Sequence, residues 1–372
     1  MREKSKRDGI KQPLNCLNEL NYFRGDYYSE YGYFIEGGGV MCCYKQESQA
    51  KREILLNRRF KEEKVPQFIQ NCLLDLGSST SKNVYWSNIR HFLMWTIENG
   101  IINKKSISDI TMEDLDAVVK SDIIQYLEEL KKSGMKLSTI NTKRTQLSSF
   151  WRNMVENGYV TTNVVKIVKN NEYKPAKTNR GKFLKIPLHE DIEEMNEKIN
   201  RKKHEFIRVR NLIILRVIRG TGLRESELAG LNFEDIYLSE DNPYILVISK
   251  GNYQYDDEGK DIVYLTKDAV AALCEWSLYR ATLNMNIIDT EAVFINKNGK
   301  RLNEENIKAI FRNSSNGRIS PHMMRHEYTT VLQRESKDYT FVAEQLRHRS
   351  CSTMINHYDS GAYRSLDVLK HM

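Results

Sequence analysis

Gly220-Thr221-Gly222-Leu223-Arg224-Glu225-Ser226-Glu227-Leu228 follows an apolar run that ends at Ile218. The run reads as a helix, the Gly-Thr-Gly step turns the chain, and a second helix opens at Arg224. A helix start presents backbone N–H groups that favour an anion, so Arg224 stands in an anion-friendly position. Downstream, the β-branched runs Tyr244 to Ile248 and Ile262 to Leu265 read as two strands joined by a long loop that holds Lys250. Val293-Phe294-Ile295 reads as a further short strand. Ser320-Pro321 then starts a helix, Ser as its cap and Pro as its first residue, and carries His322, Arg325 and His326. The last patterned stretch is Leu346-Arg347-His348-Arg349-Ser350-Cys351-Ser352-Thr353-Met354-Ile355-Asn356-His357-Tyr358.

Upstream the character changes. Residues 64–165 read as helices only. Tyr85, Ile89, Phe92, Leu93 and Thr96 recur at helical spacing, with Thr80 or Ser81 as cap. Thr111 and Asp114 form a capping pattern, and Ile123, Ile124, Tyr126, Leu127 and Leu130 populate the following helix. Ser138 is placed to cap a long helix that buries Ile140, Leu147, Phe150, Trp151 and Met154 and stops near Gly158. Asn141, Lys143, Arg144 and Gln146 lie on its other side, as a solvated polar face or as a basic face for phosphates. Residues 166–185 form a basic linker. Lys166, Lys169, Lys174, Lys177, Arg180, Lys182 and Lys185 face one acid, Glu172, a bias that suits a polyanion alongside. Residues 1–63 are a separate N-terminal module. Tyr31 to Glu36 and Val40 to Lys45 flank Gly37-Gly38-Gly39 as a hairpin, and a charged helix spans Ser48 to Glu63. Residues 186–372 make a mixed α/β domain. The fold class is therefore mainly α with small β-sheets.

At 372 residues the chain is long enough for two or three domains, and 40% hydrophobic against 28% charged residues excludes compositional disorder. A net charge of +8 permits a polyanionic partner without demanding one. No stretch approaches the roughly 18 apolar residues of a membrane span, and the start lacks a signal-peptide apolar run, so a cytoplasmic location is expected. Cys16, Cys42, Cys43, Cys72, Cys274 and Cys351 show no metal-ligand spacing and read as reduced thiols. No acidic cluster, His-x-x-x-His or P-loop stands beside the candidate residues, so neither metal nor cofactor is expected.

Taken singly those residues are ordinary. Arg224 suits a surface pair with Glu225 or Glu227, Lys250 a loop, and His322, Arg325 and His326 the polar side of a helix. Their order is not ordinary. An Arg after Gly-Thr-Gly-Leu, a strand-Lys-strand unit, His-x-x-Arg, a second His and a Tyr near the C-terminus together resemble the tyrosine recombinase (phage integrase) family. The resemblance covers residues 186–372 and extends weakly over 64–165, which is similar to the family's helical core-binding domain. It implies Arg224, Lys250, His322, Arg325 and His348 as catalytic residues and Tyr358 as nucleophile, with Glu227 and His326 in support. One departure stands out: Arg347 occupies the position before His348 where the family usually has Gly.

The implied reaction is attack of Tyr358 on a DNA phosphodiester, with rejoining through a 3′-phosphotyrosine link. Charge on the non-bridging oxygens calls for planar, permanently charged donors, a role for Arg224 and Arg325. A phenol with a reference pKa of about 10 needs nearby cations and a proton acceptor, a role for His322. The departing 5′-oxygen needs a proton, which Lys250 on its loop is suited to give. Glu227, one turn from Arg224, would orient that arginine. Implied partners are double-stranded DNA, further copies of the chain as a tetramer on DNA, and accessory DNA-bending or directionality proteins. Lys143, Arg144, Lys174, Lys177 and Arg180 are the DNA-contact candidates. Integration and excision of a mobile element is the implied role. A type IB topoisomerase, a telomere resolvase, a regulator of the same fold without catalysis, and a metal-dependent nuclease remain as alternatives.

Overall fold

A computed structural model describes residues 44–168, 186–238, 241–249 and 260–347. They form two compact units, one within residues 46–168 and one within 186–347. No helix of the described residues is long and apolar enough to cross a membrane.

The first unit is all helix: α1 (Tyr44–Glu62), α2 (Gln67–Leu74), α3 (Ser79–Glu98), α4 (Met112–Asp116), α5 (Lys120–Lys132) and α6 (Leu137–Glu156). Trp86, Ile89, Phe92 and Leu93 of α3 meet Tyr126 of α5 and Phe150, Trp151 and Met154 of α6 in one core. Phe92 lies edge-on to both Tyr126 and Trp151, the arrangement aromatic quadrupoles prefer. Thr111 and Asp114 make the expected capping box before α4. The cap of α3 is Ser78, whose hydroxyl accepts from the Ser81 amide, rather than Thr80 or Ser81. Helix α6 starts after Lys136 without a side-chain cap, so Ser138 lies inside it.

Two expected boundaries shift. α1 opens at Tyr44, so Tyr44 and Lys45 are helical rather than the end of a hairpin strand. Its Leu56 and Phe60 are buried in the core, with Phe60 edge-on to Trp86. The residues from 46 to 63 thus pack as part of the helical unit, and a break after residue 63 would cut through that core. At the other end Val165 and Val168 close the same core, so the helical unit reaches Val168, inside the expected linker. The remainder of the expected hairpin and of the linker lies outside the described residues.

The second unit contains α7 (His189–Asn200), α8 (Glu205–Thr221), α9 (Glu225–Gly230), strands β1 (Ile236–Tyr237), β2 (Tyr244–Val247) and β3 (Asp261–Tyr264), α10 (Lys267–Ala281), α11 (Glu304–Ser314), α12 (Pro321–Ser336) and α13 (Tyr339–Gln345). α8 is the central helix and packs against α7, α10 and α12. Ile213, Ile214, Val217 and Ile218 of α8 are buried in the core with Trp276, Phe294 and Phe311. It runs to Thr221, three residues past Ile218, and Gly220 lets it approach α10: a Cβ there would lie 2.8 Å from that of Ala269.

The expected β2–β3 pair forms, antiparallel, with Ile245 opposite Val263 and Val247 opposite Asp261. A third strand, β1, joins β2 on its other side, with Tyr237 stacked on Tyr244 at 4.6 Å between ring centroids. The strand expected at 293–295 does not form. Only isolated bridges form, Asn232–Ala292 before it and Ile295–Arg301 at its end, and two of its carbonyls serve side chains: Arg210 Nη1 donates to Ile295 O and Trp276 Nε1 to Val293 O.

Candidate active site

Gly222 is where the site begins. It ends α8 in the left-handed conformation, φ 62°, and its amide donates back to Ile218 O. A Cβ here would lie 2.5 Å from Tyr328 Cδ1, so glycine is required by conformation and by space alike. Two residues on, Arg224 is the N-cap of α9. Its amide donates to Glu227 Oε2 at 2.8 Å and its Nη1 to Glu227 Oε1 at 2.6 Å. The Arg224 side chain keeps 26% exposure while that of Glu227 has 1%, so the carboxylate anchors the arginine from inside and leaves part of its guanidinium outward.

α12 supplies the second arginine. Ser320 caps it, its hydroxyl accepting from the Met323 amide, and Pro321 follows, as the sequence predicts. Arg325 is buried; it donates from Nη1 to Gly222 O at 2.6 Å and from Nη2 to Leu346 O. It therefore ties the turn after α8 to the turn after α13. Its Nη1 lies 3.8 Å from Glu227 Oε2, so Arg224 and Arg325 stand on the same carboxylate. His322, in the first turn of α12, is exposed on one side. Loss of water around the ring, then the charges of Arg325 and Arg224, lower its pKa from 6.5 against the opposing pull of Glu225. A neutral imidazole can take up a proton. His326 lies one turn along, its ring 4.3 Å from that of His322.

Sequence reasoning missed the third arginine as a site residue. Arg347 has φ 53° and a side chain only 2% exposed. Its Nη2 donates to Glu227 Oε2 at 2.5 Å and its Nε to Oε1 at 3.3 Å, while Nη1 donates to Gln345 O at 2.6 Å. Burial alone would push the Glu227 carboxyl up. Arg347, Arg325 and Arg224, with the Arg224 amide, reverse that and hold it at about 2. Gln345 was also missed. Its Oε1 accepts from Tyr264 N, and its Nε2 donates to Tyr264 O and Tyr328 OH, joining α13 to β3 and α12. The only signal for Arg347 was a side chain where the family usually has none; Gln345 gave no signal.

The structure thus brings Arg224, Glu227, His322 and Arg325 together and adds Arg347. Lys250, His348, Tyr358, Lys174, Lys177 and Arg180 lie outside the described residues. Of the two lysines in the β2–β3 connection, Lys260 is engaged: its Nζ lies 2.8 Å from Asp235 Oδ1 and its side chain is 14% exposed. The expectation for α6 is corrected. Lys143 and Arg144 form no open basic face. Both are buried, Lys143 Nζ donating to Asn88 Oδ1 at 2.7 Å and Arg144 Nη2 to Val168 O at 3.0 Å. Burial lowers the pKa of Lys143. A buried charged end needs an internal hydrogen-bond partner, and a polar pattern in the sequence cannot reveal that one is supplied from another segment. Neither Cys72 nor Cys274 is in a disulfide, and the Cys72 thiol is pushed up to about 12 by burial and then by Asp75.

A helix-capping arginine and a buried arginine on a second helix thus meet at one carboxylate, a concentration of positive charge that can attract an anion. The family model described as "Phage integrase family" matches residues 187–364. A "Tyrosine recombinase XerC" of Pediococcus pentosaceus is 31% identical over 252 residues, 64% of this chain and 77% of the relative. Another, from Psychromonas ingrahamii, is 28% identical over 276 residues, 72% of this chain and 82% of the relative. Among solved structures, XerH site-specific recombinase in a post-cleavage complex with palindromic difH substrate shares 19% identity at a TM-score of 0.56, covering 76% of this chain and 77% of that one. The Tn1549 transposon integrase with circular intermediate DNA shares 18% at 0.51, covering 78% and 97%. The chain belongs to the phage integrase family of tyrosine recombinases.

Proposed function

We propose that the chain cuts and rejoins double-stranded DNA at specific sites through a 3′-phosphotyrosine link, with Tyr358 as nucleophile, to integrate and excise a mobile element. One observation carries this reading: Arg224 and Arg325 converge on Glu227 from two helices, the outward part of Arg224 beside a partly exposed, neutral-tending His322. Two permanent cations fixed before the substrate arrives are what stabilisation of a pentacoordinate phosphorane-like charge demands, since no reorganisation is then needed during reaction.

In this mechanism the Tyr358 oxygen attacks phosphorus, its proton passing to His322, and the 3′-phosphoryl becomes bonded to Tyr358. The bond to the 5′-oxygen breaks, and Lys250 protonates that oxygen. The engagement of Lys260 by Asp235 supports assigning the mobile role to Lys250. His348 contributes a further donor to the phosphoryl group. A 5′-hydroxyl of the partner strand reverses the sequence, so the energy of the broken bond is kept and no metal or nucleotide is needed. Lys174, Lys177 and Arg180 track the backbone, four copies act on two DNA segments with bending or directionality proteins, and the reaction takes place in the cytoplasm. Two arginines held beside one carboxylate, with part of Arg224 turned outward, favour catalysis over a regulator that keeps only the fold.

The test works without a defined DNA site. The purified chain is incubated with nicked duplexes carrying a randomised core, and SDS-resistant adducts are captured and sequenced. Adducts clustering on one core motif are expected from the wild type and none from Tyr358→Phe, with DNA binding retained. Adducts from the Phe variant would remove Tyr358 from the role. Relaxation of any supercoiled plasmid without core preference would favour a topoisomerase.

A further inference from the structure

We propose that Arg347 is a positioning residue of this centre: it clamps the Glu227 carboxylate on which Arg224 is anchored and beside which Arg325 stands, and it pins the turn after α13 next to them. The proposal rests on the recombinase reading for its chemistry, and on geometry alone for its structural half.

The hydrogen bonds around Glu227 carry it. The carboxylate has two oxygens, and Arg347 takes both, through Nε at 3.3 Å and Nη2 at 2.5 Å. Arg224 also reaches it, with its amide and one guanidinium nitrogen. Arg325 stands back at 3.8 Å, its donors committed to the carbonyls of Gly222 and Leu346. Three guanidiniums and one carboxylate leave a net charge of +2 in the site; without Arg347 it would be +1. Without Arg347 the buried Glu227 carboxylate would lose two of its donors and hold Arg224 and Arg325 in a less fixed arrangement. Arg347 itself, 2% exposed, is too buried to touch DNA, so its effect passes through Glu227.

The backbone gives a second, independent observation. Arg347 adopts φ 53°, a left-handed conformation that glycine takes freely and arginine does not. A position needing only this turn would be better served by glycine. The presence of arginine therefore points to its side chain, which also closes onto Gln345 O and so fixes the turn it occupies.

Two variants of the full chain separate the role of the guanidinium from that of the turn. Arg347→Gly keeps the backbone conformation and removes the side chain; Arg347→Lys keeps a charge without the two-pronged fork. Amide hydrogen exchange without DNA is measured first, over peptides from 224–230 and 339–347. About a tenfold or greater loss of protection is expected in Arg347→Gly, partly restored in Arg347→Lys. Unchanged protection in Arg347→Gly overturns the proposal irrespective of any DNA result. Next, adduct formation is timed on a core motif recovered from the randomised pool. Arg347→Gly is expected to slow the step by about tenfold or more with DNA affinity nearly unchanged, and Arg347→Lys to recover part of the rate. Equal rates in wild type and Arg347→Gly would overturn it, as would a loss confined to affinity. Absence of any adduct from the wild type sinks the recombinase reading instead, and the exchange result then decides whether Arg347 positions the turn.

Discussion

Gly222→Ala carries two penalties that can be separated. The first is conformational: at φ 62° a non-glycine residue costs roughly 1–2 kcal/mol. The second is steric. The new Cβ would stand 2.5 Å from Tyr328 Cδ1 and 3.1 Å from Cε1. The Tyr328 ring cannot swing away cheaply, since it is buried and its hydroxyl accepts from Gln345 Nε2 at 3.0 Å. Overpacking of this kind costs about 1–3 kcal/mol, for a total of about 2–5 kcal/mol. Gly317 supplies the control. It lies in the same unit at φ 77° with nothing within 4 Å of an added Cβ, so Gly317→Ala incurs the first penalty only. At roughly 2–4 °C per kcal/mol for a unit of this size, Gly222→Ala should lower the melting temperature by roughly 4–20 °C and Gly317→Ala by roughly 2–8 °C. The chemistry should suffer as well, because Gly222 O accepts from Arg325 Nη1 at 2.6 Å and a shifted turn moves that arginine. Thermal unfolding by circular dichroism, paired with the adduct assay, reads both effects. A Gly222→Ala protein that melts no lower than Gly317→Ala would refute the steric half of the reasoning; one that reacts at the wild-type rate would refute the link to Arg325.

Three other outcomes are expected. Lys250→Ala should cleave ordinary DNA slowly but recover on a substrate with sulfur as the 5′-bridging atom, which leaves without protonation, whereas Arg224→Ala and Arg325→Ala should stay defective on both; an equal Lys250→Ala defect on the two substrates would disprove the general-acid role. The lowered pKa of His322 should keep adduct formation active below pH 6.5, with a decline only as the ring is protonated, and His322→Gln should be slow throughout with that acid limb removed. The same ring contributes stability that is present above its unfolded value near 6.5 and lost as pH falls through the lower folded value, so unfolding midpoints measured across this range should drop on the acid side in wild type and not in His322→Gln. A chain beginning at Lys64 should lose the burial of Leu56 and Phe60, roughly 3–6 kcal/mol, and expose the core of the helical unit; retention of the wild-type melting transition would place α1 outside that core.

Local features were legible from sequence because their causes are local. The Thr111–Asp114 box, the Ser320–Pro321 start and the apolar spacing of α3, α5 and α6 each depend on residues within a turn or two. The β2–β3 pairing was legible for the same reason, two β-branched runs on one connection. The reading of Arg224, His322 and Arg325 as one group rested on the order of residue types in the resemblance, and the three lie close enough for the charges of both arginines to act on His322.

What only the tertiary structure decided concerns groups that meet across long separations. Arg347 and Glu227 are 120 residues apart, and no pattern near either announces a buried two-pronged pair; the departure from glycine was visible, its partner was not. Lys143 and Arg144 looked like an outward basic face because charge is read as exposure, yet Asn88 and the carbonyl of Val168 supply internal acceptors from other segments. α1 looked like part of a separate module because its composition is charged, and two residues, Leu56 and Phe60, suffice to bind it into the helical core. The carbonyls of Val293 and Ile295, expected in a strand, are taken by Trp276 and Arg210 instead. In each case short-range preference sets the element, and the long-range supply of hydrogen-bond and charge partners sets what that element does.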